Sequence, residues 1–254
     1  MTVIERREKI LQILKAQKKI DIKFLAKMID VSEVTVRRDI RILEREGKLL
    51  RSRGVIILPD VSEYELSFME REKENVDLKR KIAREAINFV KEGMVVGFDA
   101  STTALQIAKL VIEKGINITL VTTSLPIFRL VTYSNRANVI LIGGEYDMKN
   151  LSFVGPITIR NLDMFCFNLC FIGASTIIPE RGFFTPDSRG AEVIRHFALN
   201  SSKVIGVTDS SKFKKSAQYL SVDIKQIDVV ITDDKFNGEY LKRFPSSVKV
   251  IMAK

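Results

Sequence analysis

Apolar side chains recur with a helical period three times in the first 45 residues: Ile4, Leu11 and Leu14, then Phe24, Leu25 and Met28, then Val36, Ile40 and Leu43. Three short helices are predicted. Each is preceded by a residue whose side-chain oxygen can accept from an unsatisfied helix N–H: Thr2, with Glu5 three positions on, then Asp21, then Ser32. Gly47 is the expected stop of the third helix. Leu49 to Leu58 reads as two very short strands turning at Arg53-Gly54 and closed by Pro59-Asp60, and a charge-rich linker is expected over 61–78. From there on, helix patterns alternate with β-branched runs at Met94–Phe98, Ile118–Thr122, Asn138–Ile142, Phe167–Ile172, Lys203–Val207, Asp228–Thr232 and Val248–Met252. Runs apolar on both faces are what a parallel sheet covered by helices requires. No internal repeat is visible.

The 254 residues suit two ordinary domains, and 46% hydrophobic with 28% charged side chains is a normal globular balance that excludes disordered and fibrous classes. Net charge is +10, which favours polyanionic partners. It is unevenly spread. Residues 1–60 hold 15 Lys or Arg against 9 Asp or Glu, and the remaining chain 26 against 22. The longest charge-free run, Met164 to Pro179, has 16 residues and includes Asn168, Ser175 and Thr176, too short and polar to span a bilayer. The N-terminal sequence alternates charge with apolar residues and is not expected to be a secretory signal, so a reducing, cytoplasmic setting is expected for the two cysteines. Cys166 and Cys170 are expected to be buried thiols. With His196 as the one histidine, Cys and His cannot assemble a four-ligand zinc site, and no metal or cofactor is expected.

Stepping about 100° per residue along the third helix puts Val36, Ile40 and Leu43 on one side and Val34, Arg38, Arg41 and Arg45 on the other, with Thr35 and Arg37 flanking. A helix entered through a Ser cap, packed by an apolar stripe and presenting arginines outward has the layout of a recognition helix in a helix-turn-helix. Arginine's planar fork can engage the two acceptors on guanine's major-groove edge or clamp a phosphate. The candidate DNA contacts are Ser32, Val34, Thr35, Arg37, Arg38 and Arg41, with Arg51 and Arg53 reaching the backbone or minor groove from the strand pair, as a wing. Asp39 is expected to orient an arginine, since a carboxylate repels phosphate.

Four turns follow β-branched runs in the larger part. Asp99-Ala100-Ser101-Thr102-Thr103 places hydroxyls and free backbone N–H groups at the positive end of a helix, the makings of a phosphate cradle; simple N-capping by Ser101 is the competing role. Thr122-Thr123-Ser124, Gly143-Gly144 and Asp209-Ser210-Ser211-Lys212 would gather at the same carboxyl edge of a parallel sheet, where ligands bind.

The stretch DVSEVTVRRDIRILEREGKLLRSRG, Asp30 to Gly54, resembles the N-terminal signature of the DeoR family of bacterial transcriptional regulators, and Thr35-Val36-Arg37-Arg38-Asp39-Ile40 matches its core one for one. The wing departs: Ser52-Arg53-Gly54-Val55 stands where the family has a His and paired glycines. FDASTT, VTTSLPI, LIGGEY, LSFVGP, FIGAS, GFFTPDSRGAEV and TDSSKF extend the resemblance over nearly the whole chain. It implies an α/β fold: a winged helix-turn-helix over 1–60, then a doubly wound, mainly parallel effector domain over 79–254, similar to ribose-5-phosphate isomerase. By position it assigns Asp99, Ser101, Thr102 and Thr103 to a sugar-phosphate site completed by Thr123, Ser124, Gly143, Gly144, Gly173, Asp209 and Lys212; Asp187, Arg189 and Glu192 either border it or serve as helix-start charges. Thr123 replaces the asparagine usual there.

The expected function is a DNA-binding repressor of a sugar-metabolism operon, acting as a homodimer or homotetramer on double-stranded operator DNA under a phosphorylated sugar effector. An isomerase or deaminase with a DNA-binding head is the alternative; Asp99, Asp187, Glu192 or Asp209 would have to supply its base. A nucleotide sensor would need G-x-G-x-x-G after the first strand, which Gly97-Phe98-Asp99-Ala100-Ser101-Thr102 does not provide. Membrane binding is disfavoured because the basic helix buries its apolar stripe in the domain and has no Trp anchor.

Overall fold

The computed structural model describes residues 1–17, 19–45, 49–52, 55–57, 67–132, 138–213 and 218–254, which fall into two compact units, Met1–Glu65 and Leu66–Lys254. Gly47, Arg53, Gly54, Leu58 and Pro59-Asp60 lie outside the described residues, as do the side chains of Arg45 and Arg51.

In the first unit, α1 (Val3–Gln17), α2 (Ile22–Ile29) and α3 (Glu33–Arg45) pack with a small antiparallel sheet of β1 (Lys19–Asp21), β2 (Leu50–Ser52) and β3 (Val55–Ile57), in the order β1-β3-β2. Asp21 ends β1 and caps α2, accepting from the backbone N–H of Lys23 and Phe24 at 2.7 and 3.2 Å. The third stripe is buried as expected, with Val36, Ile40 and Leu43 at most 1% exposed. The first two are borne out in part: Leu14 and Leu25 are buried and Leu11 packs against the core, but Ile4, Phe24 and Met28 are exposed, and Ile10, Ile22, Ala26 and Ile29 complete the core. On α2 the set Ile22, Leu25, Ala26 and Ile29 follows a helical period that already faces inward, so Phe24 and Met28 point to solvent. Ile4 sits in the first turn of α1, ahead of the buried Ile10 and Leu14. The strand β1 was not predicted; three residues give too little alternation to read.

The larger unit runs α4 (Phe68–Lys73), α5 (Val76–Ala86), β4 (Val95–Phe98), α6 (Thr102–Lys114), β5 (Thr119–Thr122), α7 (Leu125–Thr132), β6 (Asn138–Leu141), β7 (Glu145–Asp147), β8 (Ser152–Val154), α8 (Pro156–Leu162), β9 (Leu169–Ile172), β10 (Thr176–Ile178), β11 (Gly182–Thr185), α9 (Ser188–Leu199), β12 (Val204–Val207), β13 (Tyr219–Asp223), β14 (Val229–Asp233) and β15 (Lys249–Ala253). Seven parallel strands form one sheet in the order β15-β14-β12-β9-β4-β5-β6. They are the seven runs predicted from sequence. Alternate residues of each strand face opposite layers: Leu169 and Phe171 join the core under α5, α6 and α7, while Cys170 and Ile172 join the one under α8 and α9. Two smaller antiparallel sheets, β7-β8 and β10-β11-β13, lie outside this frame.

Of the linker expected over 61–78, residues 61–66 lie outside the described residues and most of the rest is helical. Residues 68–73 and 76–86 are helical, and α4 is fixed by a capping box between Ser67 and Glu70, by burial of Phe68, and by the Phe68 N–H donating to the Lys149 carbonyl at 2.9 Å. Burying one aromatic ring outweighs the charge-rich sequence around it. Cys170 is buried, and burial pushes its thiol up to about 12, but Cys166 is exposed in the loop ahead of β9, beside exposed Met164 and Asn168.

Candidate DNA-binding face and effector crevice

On α3 the Ser32 hydroxyl accepts from the Thr35 N–H at 3.3 Å, capping the helix, and the two hydroxyls lie 2.9 Å apart. Val34 is 77% exposed, an uncovered apolar side chain among polar neighbours, and Arg38 and Arg41 are exposed beside it. Arg37 leans back to Glu33, one helical turn away, at 3.4 Å. Asp39 is buried and accepts from two arginines of α1, Arg6 Nε at 2.6 Å and Arg7 Nε at 3.1 Å. The arginine-orienting part expected of Asp39 thus falls on residues outside α3.

In the larger unit the chain leaves β4 toward β5 and β6 on one side and later returns to β9 on the other, so the strand order reverses between β4 and β9. At such a switch point the loops diverge and open a crevice at the carboxyl ends. Asp99 and Gly173 stand there. Asp99 Oδ2 accepts from the Gly173 N–H at 2.7 Å and Oδ1 from the Ser101 N–H at 3.0 Å, so one carboxylate ties the two lips together. It is 2% exposed, and burial raises its pKa against the lowering effect of those hydrogen bonds. A Cβ at Gly173 would lie 2.4 Å from Ser101 Cβ, so only glycine allows this approach. Ser101 Oγ caps α6 by accepting from Ala104 N–H at 3.1 Å, and Thr102 and Thr103 form the first, buried turn of that helix.

Thr123 and Ser124, after β5, are buried beneath the β7-β8 hairpin: the Phe153 N–H donates to the Thr123 carbonyl at 3.0 Å, and Ser124 bridges to Ser152. Gly143 and Gly144, after β6, abut α8, where Thr158 Oγ1 donates to the Gly143 carbonyl at 3.1 Å and a Cβ on Gly144 would stand 1.9 Å from that hydroxyl. Asp187 caps α9 through the Gly190 N–H at 2.8 Å, Arg189 reaches Glu145 at 3.5 Å, and Glu192 is exposed. On the far side of the crevice Asp209 accepts from Asn75 Nδ2 at 3.1 Å and from the Ser211 N–H at 3.1 Å, in the turn that carries Lys212.

Two cations missed in the sequence complete this edge. Lys79 of α5 is 3% exposed, and its Nζ donates to the Glu74 carbonyl at 2.7 Å and to the Arg71 carbonyl. Burial pushes its pKa down to about 8; Lys212 and Arg71 add to that effect, and Asp209 and Glu74 oppose it. Arg71 donates to Asn150 Oδ1 and also acts electrostatically on Asp99. The Asn75 Nδ2 bond to Asp209 brings the start of α5, the helix that carries Lys79, to the Asp209 side of the crevice. A signal existed for Lys79: with Ile82, Ala83 and Ala86 it occupies an apolar stripe, an unusual place for an ammonium.

Because the folded-state pKa of Lys79 lies below its ordinary value, the unfolded chain binds the extra proton between about pH 8 and about 10.4, and stability rises with pH across that window. Urea unfolding from pH 8 to 10 is expected to show a steeper rise in the native protein than in Lys79→Met; parallel curves would contradict the assignment.

Among the described residues no group of His, Cys, Asp or Glu could hold a metal ion, and no helix is long and apolar enough to cross a membrane. Residues 6–61 match the DeoR-like helix-turn-helix domain, and residues 74–234 match the DeoR C-terminal sensor domain. The chain belongs to the DeoR family. This DeoR-family protein is a DNA-binding transcriptional regulator and not an enzyme, so the isomerase or deaminase alternative falls. It is 31% identical over 251 residues to the lactose phosphotransferase system repressor of Lactococcus lactis, covering 98% of each chain. It is 30% identical over 230 residues to the L-fucose operon activator of Haemophilus influenzae, covering 90% of this chain and 91% of that one. Among solved structures it is similar to ribose 5-phosphate isomerase A of Methanocaldococcus jannaschii, with a TM-score of 0.40, 20% identity and 56% of each chain covered.

Proposed function

We propose that this regulator represses a sugar-metabolism operon by gripping operator DNA through α3, and that a phosphorylated sugar in the β4–β9 crevice changes that grip. Ser32, Val34, Thr35, Arg37, Arg38 and Arg41 face the groove, with Arg51 and Arg53 as wing contacts. Asp99, Ser101, Thr102, Thr103, Thr123, Ser124, Gly143, Gly144, Gly173, Asp209 and Lys212 form the effector site, joined by Arg71 and Lys79. The observation that supports the effector reading is the switch-point crevice between β4 and β9, where Asp99 ties the Gly173 lip to the start of α6. A phosphate suits the start of α6, where a helix N-terminus and hydroxyl side chains offer hydrogen bonds and positive charge. The name of the Lactococcus relative supports the sugar-operon setting. A homodimer or homotetramer places two recognition helices one helical turn apart, in the cytoplasm.

Arg38→Ala is expected to weaken operator binding by about 1–3 kcal/mol while leaving the sugar-phosphate response in place. Lys212→Ala is expected to do the reverse. Anisotropy titrations with operator DNA, with and without a panel of hexose and pentose phosphates, read both; equal loss of both responses in either variant defeats the division.

A further inference from the structure

The Asp39 cluster has more positive charge than its carboxylate needs. Asp39 is 3% exposed and carries two guanidiniums, Arg6 at 14% and Arg7 at 27% side-chain exposure. One arginine neutralises one carboxylate. For helix cohesion alone a buried ion pair is a poor device, since apolar residues of similar volume hold helices at least as well. Each arginine donates its Nε to Asp39, and the terminal nitrogens of each fork are further donors. Asp39 stands one helical turn beyond Thr35 and next in sequence to Arg38, at the border between the buried stripe of α3 and its exposed face. The α1 arginines therefore meet α3 at Asp39, with Arg7 the more exposed of the two.

We propose that Arg6 and Arg7 are further contacts to the phosphate backbone of bound DNA and that Asp39 is their positioning residue, aiming both guanidiniums while α3 occupies the groove. The contact is to phosphate and not to bases, because a guanidinium anchored through its Nε at the edge of the recognition helix reaches the groove wall and not its floor. The inference rests on α3 being the groove-facing helix, which Arg38→Ala tests independently.

The experiment uses the full chain and a mixed-sequence duplex of about 30 base pairs, titrated by fluorescence anisotropy from about 50 to 300 mM salt. Arg6→Gln and Arg7→Gln are each expected to weaken binding and to reduce the slope of log affinity against log salt by about 1. Asp39→Asn raises the net charge by one, so a merely structural Asp39 predicts tighter binding. Loss of positioning predicts weaker binding and a shallower slope instead. Thermal unfolding of each variant separates folding from contact, and Arg7→Gln, at the more exposed of the two arginines, decides the matter if Asp39→Asn unfolds. A folded Arg7→Gln protein with unchanged affinity and slope overturns the proposal, as does an Asp39→Asn protein that binds more tightly. If Arg38→Ala is silent as well, the failure belongs to the placement of α3; if Arg38→Ala weakens binding while Arg7→Gln does not, it belongs to this proposal alone.

Discussion

Gly173→Ala is expected to destabilise the larger unit by about 1–3 kcal/mol and to abolish the sugar-phosphate response, whereas Gly143→Ala leaves the fold unchanged. The two glycines follow parallel strands at the same sheet edge, yet their surroundings are opposite. A methyl on Gly173 meets Ser101 Cβ at 2.4 Å and Ser101 Oγ at 2.7 Å; a methyl on Gly143 meets nothing within 4 Å. To relieve the clash, the lip after β9 has to move away from α6, and that motion breaks the 2.7 Å bond from the Gly173 N–H to Asp99. A buried carboxylate then loses one of its donors, which adds a desolvation cost of about 1–3 kcal/mol if nothing replaces it. The N-terminus of α6 moves with Ser101, so the proposed phosphate cradle loses its shape. Urea unfolding and effector titration of both variants check this; identical midpoints for Gly173→Ala and Gly143→Ala would refute it.

Ile40→Ala is expected to unfold the DNA-binding unit while the larger unit stays folded. Ile40 is fully buried at the centre of α3, in a core of 12 buried side chains among the described residues, from Ile10 to Ile56. Truncating a buried Ile costs about 2–5 kcal/mol, and a unit of about 60 residues holds little stability in reserve. The cores of the larger unit draw on residues from Phe68 onward, so their contacts are untouched. Calorimetry should show the transition of the small unit lost or moved far down with the other retained, and DNA binding should disappear at temperatures where the larger unit is intact. A single transition shifted as a whole would contradict the separation. Arg38→Ala serves as contrast, because this exposed arginine, a proposed DNA contact, takes no part in the core.

What could be read from sequence was whatever neighbouring residues enforce. The seven strands of the main sheet were legible because both faces are covered, so each is a short run of β-branched and apolar residues between helix patterns. The cap of α3 at Ser32, that of α2 at Asp21 and the outward face of α3 were legible because capping and the helical period act within about four residues. The turns Asp99–Thr103, Thr122–Ser124, Gly143-Gly144 and Asp209–Lys212 could be named, and parallel strand direction sends them to one edge.

Other features depended on partners far along the chain. Phe68 fixes α4 only because the Lys149 carbonyl and the main core receive it, although the Ser67–Glu70 pattern could have signalled its start. The strands of β7-β8 and β10-β11-β13 have 3 to 5 residues each, and their pairing is set by the layers they cover. The exposure of Ile4, Phe24 and Met28, the exposure of Cys166, the tie from Asp99 to Gly173, and the burial of Lys79 all follow from tertiary packing. The sequence by itself determined the seven strands of the main sheet, the helices α1 to α3 and the candidate residues for DNA and ligand, since propensity, capping and periodicity are local. Only the tertiary structure decided which charges share a low-dielectric crevice and which arginines share Asp39, because burial and electrostatic coupling depend on distance in space.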